Sequence, residues 1–292
     1  MKKIITRLFG GLGNQFFQYA AGRALAARHG AELILDNSLL KRRRWGVTYR
    51  EYALDAYHVR GRKASALENK IIQRRVFRPF DFLCNRGLMR SSYVYYREPH
   101  YEYDPGLFQI VDNAIIEGYW QSERYFRDVA DEIRDEFQPV APLLPLAQEC
   151  LAQIQQQNSV SVHVRRGDYI SKTGAAVYET CDAQYYQRAI DFVAKRVSKP
   201  VLFVFSDAPD WVKENLKSDY PMVVVSRLHS WPVYDDLRLM SLCRHNIIAN
   251  SSFSWWGAWL NANPDKIVVA PSRWFKNGYN TCDLIPLEWN II

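Results

Sequence analysis

The 292-residue chain has few cysteines and no long apolar run. Its five cysteines are scattered, and none forms a Cys-x-x-Cys pair or lies near a histidine at metal-ligand spacing. This pattern argues against a disulfide framework and a zinc site, and it favours reduced thiols. No apolar stretch approaches the roughly 18 residues that cross a bilayer. Because Arg7 also interrupts the apolar N-terminus before a secretory core is complete, we expect a cytoplasmic protein without a bound metal.

One segment of the chain carries its basic character. The net charge is +7, yet residues 37–100 hold 15 Lys and Arg against 5 Asp and Glu. Clusters of this kind suit nucleic acid, anionic lipid head groups or an acidic substrate, and they are equally typical of a solvated helix face. No aromatic RNP-type strand or other nucleic-acid module accompanies them, so we expect no nucleic-acid partner.

The second half of the chain alternates between apolar runs and helical patterns. The runs lie at residues 159–164, 201–205, 222–225, 246–249 and 266–270, and the helical patterns at 183–197, 209–217, 232–245 and 252–261. This order predicts buried parallel strands joined by right-handed crossovers, which is a Rossmann-like domain. Clustered prolines at 139, 142 and 145 indicate a nearby boundary, so we predict domains at residues 1–150 and 151–292.

Polar side chains follow these predicted strands directly. Arg165 and Arg166 follow the first strand, Asp207 follows the second, and Ser251 and Ser252 precede the last helix. The carboxyl ends of parallel strands form the ligand edge of an open sheet, where guanidinium forks and helix N-termini bind phosphate. The alternatives are a solvated Arg–Asp pair and ordinary helix capping by Asp or Ser. We favour a site for a phosphate-bearing substrate.

The first half opens with a glycine-rich loop between a predicted strand, residues 4–9, and a predicted helix, residues 16–28. Gly11 and Gly13 match two glycines of the dinucleotide fingerprint, and Asp36 lies at the distance of its ribose acceptor. However, Phe16 replaces the third glycine, which serves close helix–strand packing. The loop amides suit hydroxyls as well as phosphates, so we interpret the loop as a polyol or phosphate contact.

Five blocks of sequence, in order, resemble the α-1,2-fucosyltransferase family and its relatives, the α-1,6- and protein O-fucosyltransferases. They are GGLGNQFFQY (10–19), GYWQSE (118–123), HVRRGDY (163–169), FSDA (205–208) and NSSFSWWG (250–257). The resemblance implies an α/β, glycosyltransferase-B-like fold with two Rossmann-like domains facing a central cleft, donor in the second and acceptor in the first. It implies inverting, metal-independent transfer of L-fucose from GDP-β-L-fucose to the 2-hydroxyl of a terminal β-galactose, with no cofactor.

The same resemblance assigns roles by position. Arg165 would bind the β-phosphate of GDP, and His163 and Asp207 would lie against the guanosine. Asn14 would approach the phosphate and fucose from the opposite domain. The substrate-binding set is completed by Gly11, Gly13, Gln15, Ser251, Ser252 and Phe253.

The sequence does not decide which residue is the catalytic base. Asp168 is the candidate to remove the acceptor proton, and its alternative role is to orient Arg166. No Asp-x-Asp triplet is present to hold a divalent ion, so we expect arginine and helix amides to neutralise the pyrophosphate.

Two other classes stay open for the whole protein: an NAD(P)-dependent oxidoreductase and a noncatalytic glycan-binding protein. For the transferase we expect a β-galactoside acceptor read by first-domain aromatic residues, among them Tyr101, Tyr119 and Trp120. The basic segment suggests peripheral association with a membrane-borne, lipid-linked glycan at the inner face of a bacterial membrane, in O-antigen biosynthesis. The oligomeric state is not predicted.

Overall fold

The computed structural model describes residues 1–40, 50–167, 179–225, 231–276 and 278–292. The chain forms two compact units: unit 1 is Met1–Gln138 with Asn280–Leu284, and unit 2 is Pro139–Tyr279 with Ile285–Ile292. The structure therefore moves the predicted boundary at residue 150 back to the first of the clustered prolines. The reason is that residue 150 lies within a helix whose apolar face packs in the core of unit 2.

Unit 1 contains a parallel sheet in the order β3-β2-β1-β5-β4. Its strands are β1 (Lys3–Arg7), β2 (Glu32–Asp36), β3 (Arg62–Lys63), β4 (Val94–Arg97) and β5 (Ala114–Glu117). Its α-helices are α1 (Leu12–His29), α2 (Ala66–Arg75), α3 (Arg78–Asn85) and α4 (Ala130–Glu136). The predicted opening strand and helix are confirmed, but α1 begins four residues earlier than predicted, so the second half of the glycine loop is its first turn.

Helix α1 packs closely on β1. A Cβ atom on Gly22 would lie 2.9 Å from Cβ of Thr6, and the Thr6 hydroxyl donates to the carbonyl of Gln18 at 3.0 Å. Gly22 thus supplies, further along the helix, the close helix–strand approach that Phe16 excludes at the fingerprint position. Gly30, with φ +57°, ends the helix by donating its N–H to preceding carbonyls, as a left-handed C-terminal glycine does.

A buried ion cluster joins three neighbouring strands of the unit 1 sheet. Nε of Arg7 lies 3.1 Å from Oδ2 of Asp36, and its Nη1 pairs with Glu117. Asp36 is fully buried and also accepts from the N–H of Ser38 at 2.9 Å. The ribose-acceptor role considered for Asp36 does not fit, because its carboxylate is sealed from solvent and engaged within the protein.

Unit 2 contains a second parallel sheet, in the order β11-β10-β9-β6-β7-β8. Its strands are β6 (Asn158–Val164), β7 (Pro200–Ser206), β8 (Met222–Val224), β9 (His245–Ile247), β10 (Val268–Ala270) and β11 (Asn290–Ile291). Its helices are α5 (Pro145–Gln156), α6 (Ala183–Ala194), α7 (Pro209–Asn215), α8 (Val233–Leu242) and α9 (Ser252–Trp259). The predicted β-α alternation is confirmed.

Helices cover both faces of the unit 2 sheet. Val204 of β7 packs in a cluster with side chains of α6 and α7, whereas Phe203 and Phe205 pack with α5 and α8. Because successive residues of a strand face opposite sides, this strand is apolar throughout. The sheet is therefore a buried middle layer, and its carboxyl edge is where polar side chains emerge.

In each sheet, the order in which strands are added reverses at the first strand. The chain proceeds from β6 to β7 and β8, then returns to form β9 on the other side of β6; in unit 1, β1 likewise lies between β2 and β5. Such switch points open a crevice between the two diverging loops, and open α/β sheets bind their ligands there. The loops after β6 and β9 in unit 2, and after β1 and β5 in unit 1, are thus the candidate sites.

Candidate functional site

The loop after β6 is held by the carboxylate that follows β7. Asp207 accepts hydrogen bonds from the backbone N–H of Arg166 at 2.8 Å and of Gly167 at 3.0 Å. Its Oδ2 also lies 2.9 Å from Nη1 of Arg165. Both loops leave adjacent parallel strands, so one side chain can reach backbone and guanidinium together. Asp207 therefore fixes the direction of Arg165, whose side chain is a quarter exposed.

Glycine is required beside this carboxylate. A Cβ atom on Gly167 would lie 2.7 Å from Oδ2 of Asp207, closer than a carbon and an oxygen tolerate. Arg166 leaves the loop in another direction, and its guanidinium lies 4.3 Å from the ring centroid of Trp211. The two arginines are thus not equivalent: Arg165 is presented by Asp207, and Arg166 stacks on an aromatic ring.

His163 lies beneath the arginine loop and links it to the start of α9. Its Nδ1 is 2.8 Å from Oγ of Ser254, and the Ser254 hydroxyl donates to the carbonyl of Ser251. Burial, together with the charge of Arg165, lowers the pKa of His163 to about 3. The imidazole is therefore neutral at physiological pH, and since the serine proton is used elsewhere, Nδ1–H is the donor in this pair.

Helix α9 begins at the switch point with no serine cap. Ser251 stands at its N-cap position in extended conformation, and its side chain makes no capping hydrogen bond within the described chain. Ordinary capping, the alternative interpretation of these serines, is thus not how Ser251 is used. Ser251 is buried, whereas Ser252 and Phe253 are partly exposed at the first turn. A helix start of this kind directs its amide groups and its dipole towards an anion.

In unit 1, the loop after β1 contacts the loop after β5 across the switch point. Gly10 has φ +77°, and a Cβ there would lie 2.6 Å from Nδ2 of Asn14. Oδ1 of Asn14 accepts from Nε2 of Gln121 at 3.0 Å. Gly11 is the extended N-cap of α1, and Gly13 lies in its first turn. The predicted first and second blocks of sequence therefore come together at one place.

Gln15 has a structural role. Its side chain is fully buried, and Nε2 donates to the carbonyls of Gly10 and Glu51 while Oε1 accepts from the N–H of Ala53. These three hydrogen bonds occupy both ends of the amide. Gln15 therefore supports the glycine loop from inside unit 1, and the substrate contact predicted for it stays a prediction.

Sequence reasoning missed Glu98, the residue that shapes the turn after β5. Its carboxylate accepts from the N–H of Tyr119 at 2.6 Å and of Trp120 at 2.9 Å, and Trp120 has φ +56°. Burial raises the pKa of Glu98 to about 7. A Cβ on Gly118 would lie 2.4 Å from Cβ of Glu98, so the glycine of this block makes room for the carboxylate.

The aromatic residues predicted to read an acceptor divide into two groups. Trp120 is fully buried and packs edge-on against Tyr125, so it belongs to the core. Tyr101 and Tyr119 are partly exposed and stack with ring centroids 5.9 Å apart. This partly exposed pair is a candidate contact for a sugar ring.

Asp168, the predicted base, lies outside the described residues. Among the residues that are described, no group of three His, Cys, Asp or Glu side chains is placed to hold a metal ion. In the same part of the chain, no helix combines the length and apolar character needed to cross a membrane.

The fold is that of a glycosyltransferase with parallel α/β sheets. The structure of a mutant Arabidopsis thaliana FUT1 in complex with GDP superposes with a TM-score of 0.52 at 10% identity, covering 91% of this chain and 70% of that one. Identity this low establishes likeness of fold alone. It agrees with the predicted glycosyltransferase-B-like class, whose sheets are seen in each unit.

Sequence comparison then fixes the family. The family described as glycosyl transferase family 11 matches residues 88–292, and the chain belongs to it. The alpha-1,2-colitosyltransferase of Escherichia coli is 34% identical over 99% of this chain and 98% of its own length. The O-antigen biosynthesis glycosyltransferase WbnK of Escherichia coli is 32% identical over 97% and 98%. The chain is therefore a glycosyltransferase, and the resemblance read from the five blocks is confirmed.

Proposed function

We propose that this glycosyltransferase transfers L-fucose from GDP-β-L-fucose to the 2-hydroxyl of a terminal β-galactoside, with inversion. The observation that carries the proposal is the loop of Arg165, Arg166 and Gly167, held by Asp207 at the switch point of unit 2 and adjacent to the start of α9. This arrangement of guanidinium, glycine and helix start supports a diphosphate site, and the sequence blocks that form it resemble those of α-1,2-fucosyltransferases.

The donor roles follow from charge. In the transfer the acceptor oxygen bonds to C1 of fucose, the bond from C1 to the phosphate oxygen breaks, and GDP leaves with growing negative charge. Arg165 stabilises that charge on the β-phosphate, and the first turn of α9 at Ser251, Ser252 and Phe253 supports the phosphates. His163, neutral and buried, supports the loop beside the guanosine. Fixed donors of this kind contribute several kcal/mol to the barrier reduction.

Unit 1 is proposed to supply the acceptor contacts. Asn14, fixed by Gln121, presents an amide at the glycine loop, where Gly11 and Gly13 keep the backbone accessible. Tyr101 and Tyr119 offer ring faces for the apolar side of galactose. The acceptor proton leaves to a base, for which Asp168 is the candidate. No cofactor enters this scheme.

Colitose is the second candidate donor sugar, because the alpha-1,2-colitosyltransferase is 34% identical along nearly the whole chain. The similarity to WbnK supports an acceptor in O-antigen biosynthesis, a surface-polysaccharide precursor at the inner face of a membrane. The alternative of an NAD(P)-dependent oxidoreductase lacks a ribose acceptor, since Asp36 is buried and paired with Arg7.

Mass spectrometry of the products tests the proposal. The purified protein is incubated in EDTA with GDP-fucose or GDP-colitose and a panel of β-galactosides that includes lactose. We expect a deoxyhexose on the galactose 2-hydroxyl from GDP-fucose. Product from GDP-colitose alone would replace fucose by colitose, and product only after a divalent ion is added would refute metal independence. No product from either donor would contradict the proposal and point to a different donor or acceptor class.

A matched pair of variants locates the reaction in the arginine loop. Arg165→Ala should abolish turnover and leave the unfolding transition in place, whereas Arg196→Ala, an exposed arginine on the same unit, should leave turnover unchanged. Full activity in the Arg165 variant would contradict the phosphate role.

A further inference from the structure

One segment of unit 1 exposes several large apolar side chains. We call it the α2–α3 surface and define it as residues 66–90, which comprise α2, α3 and the turn that follows. Its most exposed apolar residues are Leu67 (69%), Phe77 (61%), Phe82 (54%), Leu88 (68%) and Met89 (41%). Soluble proteins rarely group such side chains on one surface without a partner.

The two helices leave this surface uncovered for different reasons. Helix α2 packs one side on the sheet, where Ile72 is buried with Ile5 and Ile34, and turns Leu67 outward. Helix α3 buries none of its own residues, although its sequence separates apolar and polar sides strongly. Phe80, Leu83 and Cys84, which share one side of α3, are only partly buried, and Phe82 is exposed, so the helix leaves apolar surface uncovered.

The charge of the α2–α3 surface is of one sign. Its two acidic residues are engaged within the unit: Glu68 pairs with Lys3 and Arg62, and Asp81 pairs with Arg75. The exposed cations are Lys70, Arg74, Arg78, Arg86 and Arg90. Within the described ranges none of these five forms an ion pair. Their charge is therefore available to an external anion.

Cations and apolar groups are interleaved on this surface. The guanidinium of Arg86 lies 4.5 Å from the ring centroid of Phe82, and that of Arg74 lies 4.8 Å from that of Phe80. Each pair places a positive charge directly beside an aromatic ring. An anionic lipid bilayer, which is apolar inside and negatively charged at its surface, matches this arrangement. The rings can enter the acyl region while the guanidiniums stay among the head groups.

We propose that the α2–α3 surface docks this protein on an anionic lipid bilayer. A second copy of the chain does not suit the surface, since self-association would bring the five cations together without an acidic partner. Nucleic acid would use the cations and leave Phe77, Leu88 and Met89 exposed. The bilayer engages both sets, and the inference stands apart from the proposed function because binding is independent of turnover.

Vesicle flotation of the full chain tests the docking. The probes are vesicles of phosphatidylglycerol with phosphatidylethanolamine, compared with phosphatidylcholine alone, at low and physiological salt. We expect flotation with the anionic vesicles and little with the neutral ones. Neutralising three of the cations should weaken binding by about fivefold per charge removed. The charge variant is Arg78→Ala with Arg86→Ala and Arg90→Ala, and its matched control is Lys195→Ala with Arg196→Ala and Lys213→Ala.

An apolar variant separates bilayer insertion from mere charge attraction. It carries Phe77→Ser, Phe82→Ser and Leu88→Ser, and its control carries Val111→Ser, Val140→Ser and Leu287→Ser, all exposed positions. We expect the first to reduce flotation and the second to have no effect. Absence of flotation at low salt, or equal loss in variant and control, would overturn the proposal. So would binding of a short RNA that depends on the cations alone, with no vesicle binding.

Discussion

Replacing Asp207 by Asn removes one charge and one acceptor from the centre of the unit 2 site. The carboxylate makes three contacts, to the N–H groups of Arg166 and Gly167 and to the Arg165 guanidinium, at 2.8–3.0 Å. The amide of Asn keeps only one of the two acceptor oxygens, so the variant loses either the hydrogen bond from the Arg166 N–H or the two contacts made by Oδ2. Each is worth about 0.5–1 kcal/mol at a quarter-exposed site, between the buried and surface values.

The loss of one or two contacts, about 0.5–2 kcal/mol, corresponds to a two- to thirtyfold weaker affinity if it is expressed when GDP binds. Isothermal titration calorimetry of the Asp207→Asn variant with GDP and with inosine diphosphate measures it. If Asp207 holds the loop, the affinity for both nucleotides should weaken by the same factor, because the proposed contact of the loop is with the diphosphate.

The competing role is the guanosine contact implied by the family resemblance. Inosine diphosphate lacks the exocyclic amine of guanine, so a carboxylate that binds that amine would give a larger loss for GDP than for inosine diphosphate. A changed ratio of the two dissociation constants would refute loop support as the main role, and unchanged affinity for both would refute both roles. Asp219→Asn, an exposed carboxylate on the same unit, is the control.

Three further changes test other parts of the structure. Gly22→Ala places a Cβ 2.9 Å from Cβ of Thr6. We expect the free energy of unfolding in urea to fall by about 1–2 kcal/mol, since overpacking outweighs the gain in helix propensity. Unaltered stability would contradict close packing of α1 on β1. Gly167→Ala should weaken GDP binding without moving the urea midpoint by much, because the clash is confined to the loop; wild-type affinity would show that Asp207 yields. Burial raises the pKa of Glu98 in the folded state from 4.5 to about 7, so the folded protein binds this proton more tightly than the unfolded chain, and the resulting stabilisation is lost as the pH rises from about 5 to 7. The wild-type protein should therefore lose up to about 3 kcal/mol of stability relative to Glu98→Gln over that interval. Parallel curves of stability against pH for the two proteins would argue against the raised pKa.

The strands and helices of unit 2 were predictable because its buried strands carry apolar or alternating runs and because proline or serine marks the start of several helices. β7 has apolar residues at every position from 201 to 205, and Pro209 and Ser252 mark helix starts. The placement of Arg165 and Asp207 followed from the same rule, since parallel strands end at one edge. That Asp207 contacts the loop itself depends on three-dimensional distance, which periodicity does not encode.

The sequence was less informative in unit 1. Gln15 reads as a polar loop residue, and only its burial against the carbonyls of Gly10 and Glu51 shows that it faces inward. Glu98 lies about 20 positions before the turn that it supports, with no local motif to connect them. The start of α1 was placed too late because glycines usually weaken a helix, yet here Gly13 lies in the first turn, where the missing side chain matters least.

The short return of residues 280–284 to unit 1 has a practical consequence for synthesis and engineering. Asp283 accepts from the N–H of Tyr103 at 3.0 Å and pairs with Arg124 at 2.6 Å, so unit 1 is complete only after residues 280–284 have left the ribosome. A chimera that exchanges unit 2 with that of a relative cannot be made with one crossover. It has to replace residues 139–279 and 285–292 and retain the five residues between them.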